Sequence, residues 1–189
     1  VFVPIIPAIV AGGLMMGLTE SINFCVNNGY LAIDTSASWY VFLTMFSNAA
    51  YIFLPILIGF SSAKVFGGNQ FLGAVIAMIM LHPDLQNAWT VASEGVLRNQ
   101  SVWFGLYEIP MVAYQGHIIP IVIAVYIMSF IENKLHKIVP EMIDLFVTPL
   151  VTVFITGYLT LTLVGPVFVF LENSLLTGVQ QIVQLPFGI

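Results

Sequence analysis

Residues 145–171 read LFVTPLVTVFITGYLTLTLVGPVFVFL, a stretch without one charged side chain. A helix needs roughly 20 apolar residues to cross about 30 Å of hydrocarbon, so this stretch is long enough to span a bilayer. Further uncharged runs occupy residues 1–18, 39–59, 71–81, 109–131 and 174–189. The run at 71–81 is short and ends before His82 and Pro83. We therefore predict an all-α fold, a polytopic transmembrane helix bundle of about five spans plus the start of a sixth.

The overall composition agrees with a lipid environment. Only 7% of the 189 residues are charged and the mean hydropathy is +1.02, whereas a soluble domain is about 25% charged. A net charge of −5 offers no basic surface for nucleic acid. One cysteine, Cys25, gives neither a disulfide framework nor a metal-ligand cluster, so we expect no metal and no cofactor. Pro4 and Pro7, with no basic residue before them, argue against a removable signal peptide.

The four cations predict an orientation. Lys64 follows the second expected span, and Lys134 and Lys137 follow the fourth, while Arg98 alone falls on the opposite side. Cytoplasmic loops are enriched in Lys and Arg, so these even-numbered connections should be cytoplasmic. The prediction is a multi-pass protein of a cell membrane with its N-terminus in the cytoplasm.

The connection at residues 132–144 has its own pattern. Its apolar side chains recur at helical spacing while its charged side chains face elsewhere, as in a helix that lies on a membrane surface. We predict an amphipathic cytoplasmic helix in which Pro140 begins a new turn, since proline is tolerated at a first helical position. A short solvated loop is the alternative.

Small residues on the first span indicate close helix packing. Gly12, Gly13 and Gly17 form a surface of small residues that lets the backbone of another helix approach closely. The partner is either a second subunit or another span of the same chain.

A stripe of hydroxyls follows the fifth span, at Thr148, Thr152, Thr156 and Thr160. Such threonines usually bond to their own helix carbonyls or to a neighbouring helix. Direct contact with a solute is the less favoured interpretation.

The densest polar feature in an apolar region is YQGH at residues 114–117. A buried glutamine or histidine needs hydrogen-bond partners or costs several kcal/mol. Gln115 and His117 therefore either tie helices together or meet a polar solute in a cavity. Asn48 and His82 raise the same question, although polar residues at helix ends often cap helices or bind water.

Seven motifs occur in order along nearly the whole chain. They are VPIIPAIVA at 3–11, MFSNAA at 45–50, LPILIGF at 54–60, FGGN at 66–69, HP at 82–83, NAW at 87–89 and YQG at 114–116. Together they resemble the membrane subunit, EIIC, of bacterial phosphoenolpyruvate-dependent sugar phosphotransferase systems. The resemblance is to the glucose superfamily and is greatest to its sucrose-specific members.

The resemblance implies a group translocator in the bacterial inner membrane. Members of the family carry a disaccharide inward, and a partner domain, EIIB, phosphorylates it from a phosphocysteine supplied by upstream phosphocarriers. The family's N-terminal half is a scaffold that forms a homodimer, and its C-terminal half holds the sugar. Residues 1–189 match the scaffold half, so the sugar-binding half is expected beyond residue 189. Gln115, His117 and Asn48 are then substrate-cavity candidates, and Gly12, Gly13 and Gly17 are dimer or helix-packing candidates.

The family's catalytic motifs are not expected in this segment. Its paired histidines and its Gly-Ile-Thr-Glu motif should lie beyond Ile189. The similar GLTE at residues 17–20 directly follows the first span, where the family has an ordinary loop, and we interpret it as coincidental. Cys25 lacks the soluble setting of a phosphocysteine. The segment alone is therefore expected to bind and phosphorylate no disaccharide.

Three functions remain as hypotheses from the sequence. The first is the membrane subunit of a sugar phosphotransferase system, with sucrose as the sugar that the resemblance implies. The second is an ion-coupled secondary sugar transporter, which would normally place an ionisable pair inside its spans. The third is a structural membrane protein that moves no solute.

Overall fold

A computed structural model describes residues 1–31, 33–87, 98–115, 117–168, 170–171, 174 and 177–178. Six helices and one β-hairpin account for most of these residues. They are α1 Ile6–Asn27, α2 Ser38–Ile52, α3 Leu54–Phe66, α4 Gln70–Met80, β1 Asn99–Val102, β2 Tyr107–Pro110, α5 Ile118–Leu135 and α6 Glu141–Leu159. A 3₁₀ turn, Val3–Ile5, leads into α1, and a π-helical turn, Thr160–Val164, extends α6.

Among the described residues, four helical segments are long and apolar enough to cross a membrane. They are Val3–Asn27, Ser38–Phe66, Ile118–Leu135 and Glu141–Phe168. The helical membrane bundle predicted from the sequence is thereby confirmed as a fold class. The expected third span is different, because α4 has 11 residues and is only about 16 Å long. The expected sixth span, at 174–189, lies almost wholly outside the described residues.

The second span is broken in its middle. α2 ends at Ile52 and α3 begins at Leu54, with Phe53 between them at φ −98° and ψ 7°. Pro55 stands in the first turn of α3, where its missing N–H leaves no donor unpaired. The uncharged run at 39–59 is thus two helices joined by a proline break.

The hairpin replaces the start of the fourth expected span. Residues 107–110 form β2, antiparallel to β1, and α5 begins only at Ile118. The prediction of a continuous span from residue 109 was wrong at this end. The uncharged run contains Pro110 and the polar residues around Gln115, and hydropathy alone does not distinguish a short strand from a helix.

α3 and α4 cross at two glycines. A Cβ atom on Gly59 would lie 2.5 Å from the carbonyl oxygen of Gly73, and a Cβ atom on Gly73 would lie 2.5 Å from the carbonyl oxygen of Gly59. Ala63 and Ala77, each four residues after one of these glycines, complete the contact, at 2.7 and 2.9 Å from the added Cβ atoms. This reciprocal small-residue crossing lets the two backbones touch.

The apolar core lies where α3, α4 and α5 meet. Its largest fully buried side chains are Ile58, Ile76, Met80, Ile121 and Met128. α6 covers α5 and α4 with its threonine stripe, while α1 and α2 form a separate antiparallel pair. α4 is therefore held on three sides although it is too short to span alone.

Three of the four cations lie at one end of the bundle, which we call the cation-rich end. Glu132 of α5 accepts a hydrogen bond from the Asn69 backbone N–H at 2.8 Å, and Asn133 Nδ2 donates to the Gly67 oxygen at 3.2 Å. These bonds place the C-terminal ends of α3 and α5, with Lys64 and Lys134, side by side. The hydroxyl of Ser61 donates to the Val1 oxygen, so the N-terminal residues lie toward the same end.

The prediction of an amphipathic helix at residues 132–144 was wrong. Residues up to Leu135 complete α5, the residues from His136 to Val139 form a tight turn, and α6 begins at Glu141. Proline cannot continue a helix in its interior, and Pro140 here caps α6 just before its first turn. His136 Nδ1 lies 2.6 Å from Asp144 Oδ2, within hydrogen-bond distance, and this contact ties the two helix ends together.

Candidate functional site

A polar cleft opens where the chain leaves α4. Its volume is about 390 Å³, and its polar lining comes from His82, Asp84, Gln86, Asn87, Arg98 and Gln115. The helix stops here because the sequence changes abruptly from the apolar FLGAVIAMIML to HPD, and Pro83 cannot extend a helix. The cleft thus lies at the C-terminal end of the short helix.

Non-helical backbone, mostly turns and bends, forms the walls of the cleft. The Gln86 N–H donates to the Met111 oxygen at 2.6 Å, and the Ala113 N–H donates to the Gln86 oxygen at 2.8 Å. The side chain of Gln86 also accepts from the Arg98 N–H at 2.7 Å. These bonds connect the first part of the segment between α4 and α5, at Gln86, with its later part, at residues 98 and 111–113. The cleft opens beside these connections.

The depth of the cleft follows from the length of α4. Asn69, which caps α4, is bonded to Glu132 at the cation-rich end, and the opposite end of α4 is about 16 Å away along the helix axis. A hydrocarbon core of about 30 Å would therefore reach past the floor of the cleft. Non-helical backbone at such a depth is tolerated only where protein buries it or where it lines a water-filled cavity.

The chemistry of the lining suits hydrogen bonding to a neutral polar solute. His82 Nδ1 lies 3.4 Å from an Asp84 oxygen, and both side chains are well exposed. Amide groups and one guanidinium supply further donors and acceptors. Behind the cleft lies the buried side chain of Tyr114. Its ring lies directly against Gly165, where a larger residue would overlap it.

The structure brings two of the three substrate-cavity candidates together. Gln115 lines the cleft, and its Oε1 atom is buried without a hydrogen-bond partner in the part of the chain that the structure describes. His117 caps α5, with Nδ1 3.1 Å from the Gln115 carbonyl oxygen and its ring edge-on to Tyr114. Asn48 is half-buried on α2 and does not line the cleft. Gly116 lies outside the described residues. A role for these side chains in sugar binding stays a prediction.

The three glycines of α1 have different surroundings. A Cβ atom on Gly12 would meet the Ala50 side chain at 2.8 Å, and one on Gly13 would meet the Tyr51 hydroxyl at 2.8 Å. Gly12 and Gly13 therefore face α2 of the same chain. An added Cβ on Gly17 would have no described atom within 4 Å, which leaves Gly17 as the candidate for a contact between subunits.

The threonine stripe differs from its expected bonding. Thr148 donates to the Asp144 carboxylate, but the hydroxyls of Thr152, Thr156 and Thr160 are buried and have no hydrogen-bond partner among the described residues. The stripe faces α5 and α4 rather than the cleft, so its small side chains serve mainly to let α6 pack closely.

Sequence reasoning missed the cleft itself. It treated His82 as a helix-end residue and did not connect it with Gln86, Asn87 or Arg98. The available signal was the combination of an apolar run too short to span with a polar HPDLQN stretch directly after it. Trp89 and the rest of residues 88–97 lie outside the described residues.

Comparison with known proteins identifies the family. The family model "Phosphotransferase system, EIIC" matches residues 1–189. The chain is 46% identical over 166 residues to a "PTS system sucrose-specific EIIBC component" of Klebsiella pneumoniae and 47% identical over 166 residues to one of Bacillus subtilis (strain 168), covering 88% of this chain in each case. A "PTS system trehalose-specific EIIBC component" of Bacillus subtilis is 37% identical over 185 residues, or 94% of this chain.

These relatives are much longer than the chain. The matches cover 34% of each of the two sucrose-specific relatives and 39% of the trehalose-specific one. No solved structure matches. The family match covers the whole chain and agrees with the helical membrane bundle and with the order of the sequence motifs, so the chain belongs to the EIIC family of phosphotransferase systems.

Proposed function

We propose that this chain is the N-terminal scaffold part of a membrane subunit that carries a disaccharide, most simply sucrose, into a bacterial cell while the sugar is phosphorylated. The relatives that are 46–47% identical to the chain are sucrose-specific, which supports sucrose as the sugar. Their description as EIIBC components supports an EIIB partner that donates phosphate, with upstream phosphocarriers behind it. The sugar-binding and catalytic groups would belong to a second half, so residues 1–189 alone are expected to be inactive.

The polar cleft is the observation that carries the proposal within this chain. A cleft of about 390 Å³ is of the size that small-molecule sites occupy, roughly 300–1,000 Å³. It is lined by amides and other hydrogen-bonding groups, which suit sugar hydroxyls. The buried, unpartnered Oε1 atom of Gln115 would gain a donor there. We therefore assign the cleft as part of the path by which the sugar reaches the second half.

The proposed direction of transport rests on charge. Lys64, Lys134 and Lys137 lie at one end of the bundle and Arg98 borders the cleft, so the positive-inside rule favours a cytoplasmic cation-rich end. The N-terminus would lie on the cytoplasmic side and the cleft would face outward. Gly17, open on the described surface, would contribute to a homodimer interface.

Ion-coupled transport has less support. Coupling usually needs an ionisable group within the spans. Among the described residues, the one fully buried carboxylate is Glu132, which is already engaged by the Asn69 N–H at the cation-rich end. His82 and Asp84 also line the cleft, but they follow α4 rather than lie within a spanning helix, and both side chains are well exposed.

The test is sugar uptake by the full-length protein in membrane vesicles that contain EIIB and the soluble phosphocarriers. With radiolabelled sucrose outside and phosphoenolpyruvate inside, we expect accumulation of a sugar phosphate and little free sugar. Omission of phosphoenolpyruvate should abolish accumulation, and an uncoupler should not. Accumulation of free sucrose driven by an ion gradient, without phosphoenolpyruvate, would reject the proposal.

A further inference from the structure

The connection between β1 and β2 carries an exposed apolar group, which we call the hairpin tip, residues 103–106. Phe104 is fully exposed and Leu106 is 81% exposed. No charged residue occurs between Arg98 and Glu108. An apolar tip of this kind is costly in water unless it meets another apolar phase.

The tip adopts an unusual backbone conformation. Trp103 and Phe104 have φ values of 50° and 60°, in the left-handed region that non-glycine residues seldom occupy. Gly105 follows at φ 89°. Two consecutive aromatic residues in this region cost free energy, and the conformation turns the Phe104 side chain outward, away from the protein.

Two contacts fix the hairpin to α6 and its extension. The ring of Trp103 packs edge-on against Tyr158, with centroids 5.2 Å apart. The hydroxyl of Tyr107 donates to the Thr162 carbonyl oxygen at 2.8 Å, within the π-helical turn. The opposite end of the hairpin adjoins the cleft, where the Met111 N–H bonds to the Arg98 oxygen at 2.8 Å. The hairpin therefore extends from the cleft to the periphery of the bundle.

The contact points give the depth of the tip. Tyr158 and Thr162 lie about 21 and 27 Å further along the helix than Asp144, a charged residue at the cation-rich end. With a hydrocarbon core of about 30 Å, these two contact points lie about 9 and 3 Å inside the boundary opposite the cation-rich end. The neighbouring surface of α6 and its extension is apolar and exposed at Phe154 and Leu163, so it is continuous with the tip.

We propose that the hairpin tip is a lipid anchor, in which Phe104 and Leu106 enter the acyl-chain boundary of the leaflet opposite the cation-rich end. Trp103 and Tyr107 stand just below headgroup level, close to the region where amphipathic aromatic rings are favoured. The occupant is the bilayer because the tip lies at the rim of a spanning helix, at interface depth and without charge. The anchor holds the wall of the cleft that contains Arg98 against α6.

The anchor is tested by lipid quenching in the full-length protein. Phe104→Cys is introduced where all other cysteines, including Cys25, are replaced, and is labelled with the fluorophore NBD after reconstitution into phosphatidylcholine vesicles. Asn99→Cys, exposed at the opposite end of the same hairpin, is the matched control. We expect a 5-doxyl lipid to quench the Phe104→Cys probe about twofold more than the control, and aqueous iodide to quench it less.

Two results would overturn the anchor. Quenching of the Phe104→Cys probe by iodide but not by the doxyl lipid would place the tip in water. Protection from both quenchers would mean that another part of the protein covers it. If Phe104→Cys does not fold, Leu106→Cys reports the same position. Sugar uptake does not enter this measurement, so its outcome is independent of the proposed function.

Discussion

Replacement of Gly73 by alanine is expected to lower the thermal stability of the full-length protein in detergent strongly for a change of one methyl group. The added Cβ would lie 2.5 Å from the Gly59 oxygen and 2.7 Å from the Ala63 Cβ. Both obstacles belong to backbone or to a side chain that cannot rotate away, so α3 and α4 must separate. Overpacking of this kind costs about 1–3 kcal/mol and sometimes more, and Gly73→Leu should prevent recovery of monodisperse protein.

Gly157→Ala is the matched control for this crossing. It also adds a methyl group inside a helix, but the nearest atom would be the flexible Ile79 side chain at 3.4 Å. Alanine also has the higher helix propensity, by about 1 kcal/mol, so Gly157→Ala should be neutral or slightly stabilising. Equal melting temperatures for Gly73→Ala and Gly157→Ala would contradict the close crossing of α3 and α4.

The second large effect is expected when Gln115 and His117 are both replaced by alanine in the full-length protein. Gln115 lines the cleft, and His117 Nδ1 lies 3.1 Å from the Gln115 backbone carbonyl oxygen at the adjacent helix cap. Each net hydrogen bond to a sugar hydroxyl is worth about 0.5–1.5 kcal/mol, and 1.4 kcal/mol is tenfold. The initial rate of sugar uptake should therefore fall about tenfold at sugar concentrations below saturation.

The control for this pair is Gln100→Ala, which removes an exposed amide on β1. It should leave uptake unchanged. Asn48→Ala tests the third candidate separately, because Asn48 lies on α2 and does not line the cleft. If the Gln115→Ala, His117→Ala double variant transports at the normal rate while its melting temperature is unaltered, the cleft has no part in the sugar path.

Charge and hydropathy were sufficient to predict the membrane bundle, since lipid excludes charged side chains wherever they occur along a span. They were less informative about where each helix ends. α1 continues past Glu20 to Asn27, so the helix extends beyond the uncharged run at residues 1–18. The start of α5 depends on tertiary bonds of the 107–117 segment with α4 and Gln86, which no local pattern reveals.

The prediction of helix packing was incomplete. It used the small-residue spacing of α1, where Gly12 and Gly13 do pack against α2, but it did not include the same spacing at Gly59 and Ala63 or at Gly73 and Ala77. Sequence alone does not tell which small surfaces face each other, because that depends on how the spans are arranged. The polar cleft was not predicted for a related reason, since its lining residues at 81–87, 98 and 115 are separated along the chain.

The sidedness of the bundle is the most direct test of the account, because it decides whether the cleft can receive sugar from outside. Single cysteines are placed at two exposed positions, Thr35→Cys between α1 and α2 and Lys137→Cys between α5 and α6, with the other cysteines replaced. Intact cells expressing the full-length protein are treated with a membrane-impermeant maleimide. We expect labelling at Thr35→Cys in intact cells and at Lys137→Cys only after permeabilisation. The reverse pattern, or labelling of both positions from one side, would contradict the account.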